Sequence, residues 1–284
     1  MQRELVAKDI FVFTSDLYAQ VTAGAIITPV GAVVIDTLPF PQESRALVKF
    51  IESRHRIPVR YVINTHYHAD HTYGSCFFEN AQIISHYLCR DLLHTRGRAA
   101  LTSARRRSRE MAQITLKLPD IVFDKGVLRL KIGGYTIEMW HSPGHSPDSI
   151  VCHIKEEKIL FAADTVMAVP FFADGTWSDY ITSLERLVGQ QFETIVQGHG
   201  EVILRGEAPI RIKEDLTYLR TLHQRVQEVI EAKGSLQEAH EHADIETCGK
   251  NRIMLNGLGL QLHEGNVAAL YEALRTARQT EQIA

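Results

Sequence analysis

One string constrains this chain more than any other. Thr65-His66-Tyr67-His68-Ala69-Asp70-His71 follows directly on the apolar run 59–64, which has the length and composition of a buried strand. In an extended chain alternate side chains share a face, so His66 and His68 can converge on one ion. Asp70 and His71 lie further on, where a turn can aim them at a second ion. Strand and helix patterns alternate around this segment, which sets the cluster at a strand's C-terminal end, where α/β folds commonly build sites.

Three further groups follow. His141-Ser142-Pro143-Gly144-His145 contains a Pro-Gly pair that fixes a tight turn presenting His145. Asp164 closes the apolar run Ile159–Ala163. His199 sits between Gly198 and Gly200, which allow close approach of the backbone. Neutral imidazoles and carboxylates suit borderline divalent ions such as zinc. Two ions sharing a carboxylate and a water bring that water's pKa toward neutrality, so no catalytic serine or cysteine is needed. An isolated histidine such as His86, His94 or His223 reads as a surface or capped residue instead. The four groups in this order are hard to reach by chance.

The rest of the chain supplies a frame. Short β-rich runs at Ile10–Thr14, 17–23, 25–28 and 32–36 suggest a meander, followed by a helix over 42–56. A strand at 82–85 and a helix at 87–95 come next. A second β-rich block covers 121–163, with runs Val127–Ile132, Tyr135–His141, Ile150–Ile154 and 158–162. A helix near 180–189 and the strand Thr194–Gln197 lead to His199. After Glu207 the pattern turns helical, with one stripe of Ile212, Leu216, Leu219, Val226 and Ile230 and another of Val267, Leu270, Tyr271 and Leu274. The expected division is a catalytic domain over 1–206 and a helical extension over 207–284, packed near the active site.

Composition limits the alternatives. The chain is 45% hydrophobic and 23% charged, as an ordinary globular enzyme is. A net charge of −3 gives no global attraction to nucleic acid or an anionic membrane. Cys76, Cys89, Cys152 and Cys248 are far apart and form no CxxC pair, which predicts free, mostly buried thiols in a reducing compartment. The charged first ten residues lack the apolar core of a signal peptide, and the longest apolar stretch, 23–35, is interrupted and reads as a strand pair. A cytoplasmic protein that does not enter a membrane is the expectation.

The string 65–71, with its downstream partners in the same order, resembles the signature of the metallo-β-lactamase superfamily over about residues 10–205. The resemblance implies a mixed α/β (α+β) fold: a four-layer αβ/βα sandwich, here with a C-terminal helical extension. It implies two divalent ions, zinc first, with iron or manganese as alternatives. By motif position His66, His68 and His145 hold one ion, and Asp70, His71 and His199 hold the other. Asp164 bridges them, and His141 is not a ligand. The implied enzyme is a dinuclear hydrolase whose metal-bound hydroxide cleaves a thioester, lactone or related ester-type bond of a small molecule. Asp70 and Asp164 are its catalytic carboxylates, and Asp70 orients the water.

Departures from subfamilies narrow this. The commonest zinc β-lactamases carry Arg after the motif Asp and Cys at the bridging slot, where this chain has His71 and Asp164. Flavin-linked di-iron relatives carry Glu where it has His68. Segment 143–149 is similar to that of glyoxalase II, except that Asp148 replaces the usual glycine. Two other enzyme classes stay open: an iron-dependent persulfide dioxygenase, and a nucleic-acid phosphodiesterase working through the arginine-rich segment 96–109. That segment carries Arg96, Arg98, Arg105, Arg106, Arg107 and Arg109, with no acid between Asp91 and Glu110. It lacks interleaved aromatics, which disfavours nucleic acid. A solvated helix face or a patch against another subunit of a homodimer explains it too. Segment 168–177 supplies Phe171, Phe172 and Trp177 as a candidate apolar wall. Asn256 and His263 mark a candidate loop over the site.

Overall fold

A computed structural model describes residues 1–283. Four strands open the chain and pair antiparallel in sequence order: β1 (Gln2–Ala7), β2 (Ile10–Thr14), β3 (Thr22–Thr28) and β4 (Gly31–Ile35). Helix α1 (Pro41–Lys49) starts on a proline, whose missing N–H is no loss in a first turn, and runs on as a π-helical turn to Arg54. Strand β5 (Val59–Ile63) then lies parallel to β4. The one-turn helix α2 (Ala69–Thr72) is followed by β6 (Gln82–His86), α3 (Tyr87–Leu92), α4 (Arg98–Arg107) and β7 (Ile121–Phe123). These seven strands form one sheet in chain order.

The second sheet contains β8 (Val127–Ile132), β9 (Tyr135–His141), β10 (Ile150–Ile154), β11 (Ile159–Ala163), β12 (Thr194–Gln197) and β13 (Ile203–Leu204), ordered β13-β12-β11-β10-β9-β8. Helix α5 (Trp177–Leu187) crosses from β11 to the parallel β12. Helices α6 (Ala208–Glu231), α7 (Leu236–His242) and α8 (Leu258–Ile283) follow.

The period of two along each strand sorts the side chains into layers. Ile10, Val12, Val33, Ile35 and Ile63 point inward to meet Ile137, Met139, Ile150, Cys152, Ile159 and Phe161 between the sheets. Their neighbours Phe13, Ala32, Val34 and Val62 face outward onto Leu47, Phe50 and Ile51 of the α1 region. On the other side Trp140, Val151, Leu160, Ala162 and Ile195 pack against α5, α6 and α8. Burial of this kind yields roughly 1.5–3 kcal/mol per large aliphatic side chain, which selects helix–sheet–sheet–helix over any slipped register. The four-layer sandwich and its C-terminal helices are as the resemblance implied.

Two local expectations change. Only Thr22 and beyond of the run 17–23 is strand, because Ala19 and Gln20 take left-handed φ values of 44° and 53° and turn the chain. The helix expected over 42–56 changes to a π turn at Phe50. Strand β1 had no expectation attached, since its residues are mostly exposed and lack a clean alternation. All four cysteines are free, three of them buried. Among the described residues no helix is long and apolar enough to cross a membrane.

Candidate metal centre

All seven candidate ligands lie at one edge of the sandwich, at or just beyond strand ends. His66 and His68 follow β5, and Asp70 and His71 sit in α2. Asp164 is the first residue after β11, where Ala163 takes φ 44° and turns the carboxylate inward. His199 follows β12, and its neighbour Gly198 is obligatory: a Cβ there would lie 1.8 Å from Asp164 Oδ1. Gly144, at φ 137° with the Tyr180 backbone 2.3 Å from any added Cβ, holds the turn that presents His145.

Two groups of ligand atoms result. His66, His68, His145 and Asp164 form one, and Asp70, His71 and His199 the other. Asp164 joins them. Its Oδ2 is 3.2 Å from His145 Nε2 and 3.5 Å from His199 Nε2, while Oδ1 is 3.3 Å from His71 Nε2. Asp70 Oδ2 stands 3.3 Å from His199 Nε2.

Each imidazole has one nitrogen committed outward. His66 Nδ1 donates to Thr65 Oγ1 at 3.1 Å, and that hydroxyl donates to Asp36 Oδ2 at 2.7 Å. His71 Nδ1 donates to the same Oδ2 at 2.8 Å. His145 Nδ1 donates to the Phe171 carbonyl at 2.7 Å and His199 Nδ1 to the Ala19 carbonyl at 2.9 Å. His68 is reversed: its Nε2 donates to Asp174 Oδ2 at 3.1 Å, and its Nδ1 turns inward. With the outer nitrogens protonated, the inner ones present lone pairs.

That arrangement fits a cation. His68 Nδ1 lies 3.1 Å from His66 Nε2 and 3.0 Å from His145 Nε2, so three lone pairs meet in one place. His71 Nε2 and Asp164 Oδ1 are buried without a hydrogen-bond partner, a costly condition that an ion relieves. The electrostatics agree. Burial pushes His145 down to about 4 and holds His66 well below its ordinary value. Burial opposes charge on His199 as well, but Asp164 and Asp70 outweigh it and raise the ring to about 10. Burial would likewise raise Asp70 and Asp164, yet His71 and His199 hold both well below the carboxylate range. The buried carboxylates thus favour positive charge at His199, a charge that divalent ions would supply in place of a ring proton, leaving its inner nitrogen free to ligate.

The cluster forms the floor of a cavity of about 390 Å³. Tyr18, Tyr67 and Tyr73 line it from the first sheet's loops, Met167 and Phe171 from the segment after Asp164, Leu255 from the turn before α8, and Leu258 and Leu262 from the start of α8. Arg96, Gly97 and Ala100 close one side.

Of the expected substrate residues, the cavity receives only Phe171. Phe172 is buried with the helices against the second sheet, its N–H donating to Asn266 Oδ1 at 2.9 Å. Trp177 opens α5 outside the cavity, donates from Nε1 to the Leu219 carbonyl at 2.9 Å and packs on His223 with ring centroids 4.2 Å apart. His263 is buried, donating to the Ala243 carbonyl at 2.6 Å and accepting from Tyr218 Oη at 3.0 Å. Asn256 faces a neighbouring groove shared with β1, because its left-handed φ of 57° turns it away. The 254–262 turn does reach the cavity, but through its leucines. His141, set apart from the ligands by motif position, donates to the Pro147 carbonyl at 2.8 Å and stacks on His86.

Asp36, Asp174, Tyr18 and Arg96 are the functional neighbours that sequence reasoning did not assign to the site individually. Asp36 does carry a signal: like Asp164, it closes an apolar run, that of β4.

The sequence profile of the Metallo-beta-lactamase superfamily matches residues 19–199. The alpha subunit of 2,4-dinitroanisole O-demethylase from a Nocardioides species is 28% identical over 182 residues, covering 62% of this chain and 51% of that one. An atrochrysone carboxyl ACP thioesterase of Claviceps purpurea is 25% identical over 208 residues, 73% of this chain and 58% of the relative. An acyl-coenzyme A thioesterase of Bos taurus is 33% identical over 91 residues, 31% of each chain. The chain thus spans about half the length of the first two. Among solved structures, a metallo-beta-lactamase family protein from Thermus thermophilus superposes with a TM-score of 0.70 at 16% identity, covering 95% of this chain and 94% of that one. The sec-alkylsulfatase Pisa1 from a Pseudomonas species gives 0.74 at 17%, covering 95% and 50%. With the layers, the motif order and the profile in agreement, the chain belongs to the metallo-beta-lactamase superfamily.

Proposed function

We propose that this protein is a hydrolase of acyl compounds, cleaving a thioester or a related ester or lactone bond with two divalent ions, zinc first, held in the cluster around Asp164. The observation that carries the reading is five imidazoles, each with one nitrogen tied to an outer acceptor and the other turned into a buried, carboxylate-bridged centre. When bound, such ions supply Lewis acidity toward a carbonyl oxygen and a water acidic enough to attack it near neutral pH.

The chain's own residues do the rest. His66, His68 and His145 would hold one ion, Asp70, His71 and His199 the other, with Asp164 shared. Asp70, ionised and partly open to the cavity, is placed to orient a water by accepting a hydrogen bond from it. The aromatic and leucine walls receive an apolar acyl group and exclude bulk water from the floor. Two relatives named as thioesterases favour acyl thioesters among these substrates.

The test is turnover of a panel of acyl thioesters and lactones by protein of verified metal content. Hydrolysis should depend on metal and fall by at least about a thousandfold in His66→Ala combined with His145→Ala, an order of magnitude set by losing the chemistry's organising centre. Activity that survives both changes, or survives exhaustive chelation, defeats the reading.

A further inference from the structure

The arginine-rich segment 96–109 finds no use in the metal cluster, yet its first residue lines the cavity. Among the described residues, Arg96 is the one lysine or arginine that reaches this wall. Its Nη1 donates to Asp174 Oδ1 at 2.9 Å, and the side chain is 56% exposed. A guanidinium has five N–H donors in a rigid fork, so one bond to Asp174 orients it and leaves four for a ligand. Asp174 is itself fixed, accepting from Tyr67 Oη at 2.6 Å and from His68 Nε2. The cation is therefore preorganised relative to the metal cluster.

The surrounding charge points the same way. Residues 96–109 carry six positive charges and no negative one, so with −3 overall the other 270 residues carry −9 between them. Arg98, Arg105, Arg106, Arg107 and Arg109 are exposed and form no ion pair among the described residues. Gly97, just before α4, and Ala100 in its first turn also reach the cavity wall. An otherwise acidic molecule thus presents a positive field at one side of an apolar cavity, an arrangement that concentrates anions there. The lining beyond Arg96 is apolar or aromatic at Tyr18, Tyr73, Met167, Phe171, Leu255 and Leu258, which offers an anionic group no other cationic partner outside the cluster.

We propose that Arg96 is a specificity residue that clamps an anionic group, carboxylate or phosphate, on the end of the substrate away from the scissile bond. The preferred substrate is then an amphiphile: an apolar acyl body against the cavity wall, with an oxyacid at its mouth. This rests on the acyl-substrate reading of the cavity, but it concerns recognition and is tested by binding alone.

Three non-hydrolysable thioethers sharing one apolar chain serve as probes on the metal-loaded full chain, ending in a carboxylate, a phosphate or a neutral primary amide. Calorimetry should find the tighter-binding anionic probe at least about tenfold above the amide, the range expected of a charge-assisted fork. Arg96→Gln should erase that advantage while leaving amide binding and metal content unchanged, and Arg96→Lys should restore part of it. Preference for phosphate over carboxylate, or the reverse, identifies the anion and supports the clamp either way. Equal binding of all three by the native protein, or no binding of any, overturns it. So does Arg96→Gln weakening every probe equally with loss of metal, which would confine Arg96 to bracing Asp174 and His68. Loss of thioester turnover in the activity panel bears on the proposed reaction and leaves these binding results readable.

Discussion

Asp36 does not line the cavity over the cluster, yet it accepts from the Thr65 backbone N–H, the Thr65 hydroxyl and His71 Nδ1 at 2.7–2.8 Å. It therefore sets the orientation of two candidate ligands, His71 directly and His66 through Thr65. Asp36→Asn keeps the side chain's size and the tolerance for the left-handed φ of 57°, but removes the charge and one acceptor. Metal affinity should fall about 10–100-fold in a chelator competition, with the fold intact by circular dichroism. Unchanged affinity would reduce Asp36 to a structural contact. Gly198→Ala is the harsher case, since its Cβ meets Asp164 Oδ1 at 1.8 Å. Stoichiometric metal should be lost, and the melting temperature of the metal-free protein should drop as well. At this scale the grouping of the candidate ligands was legible because short spacings and strand ends bring them together. Their outer partners were less so. Ala19 and Phe171 act through carbonyl oxygens that any residue would supply, and Asp174 is linked to His68 across 106 positions.

The same limit recurs in whole elements. Buried strands were legible from unbroken apolar runs, and the hairpin of β3 and β4 from the turn residues at Pro29 and Gly31. The segment 168–177 was not, because an aromatic side chain that packs a core and one that walls a cavity are chemically the same. Geometry divides them: Phe171 lies beside His145, whereas Phe172 and Trp177 turn toward α6 and α8. Trp177 is there because α5 begins at that residue. Thr176 caps the helix, its Oγ1 accepting from the Asp179 N–H at 3.2 Å, and its own N–H donates to the Gly144 carbonyl at 3.2 Å. The cap thus joins the start of α5 to the turn that presents His145. Thr176→Ala should cost about 1 kcal/mol in urea unfolding, with a larger relative effect on metal retention than a cap remote from the site. A loss confined to stability would show that the turn holds without it.

Across the molecule, the C-terminal helices complete the second sheet's outer layer. Tyr180, Leu184 and Leu187 of α5 share one apolar cluster with Leu216, Leu219, Leu222, Val267 and Leu270. The helical stripes were legible in the sequence; what they cover was not, since periodicity gives a face and no partner. His223 packs on Trp177 at this junction, and burial lowers its pKa. A lowered folded-state value means that the unfolded chain binds the proton more readily, so stability is intact above about pH 6.5 and declines as pH falls below it. His223→Gln should flatten that decline in urea midpoints between neutral and mildly acid pH, and an unaltered slope would assign it to other groups. The shared cluster makes a stronger demand. Leu219 is fully buried there, so Leu219→Ala should cost about 2–5 kcal/mol by lost transfer energy and a cavity. Because α6 and the second sheet bury each other's apolar faces, that loss should move a single transition, seen alike by near-ultraviolet signal and by release of metal from the cluster. If the helices after residue 206 melted first while metal stayed bound, the two parts would be separable units, and the second sheet would have to be stable with that face exposed.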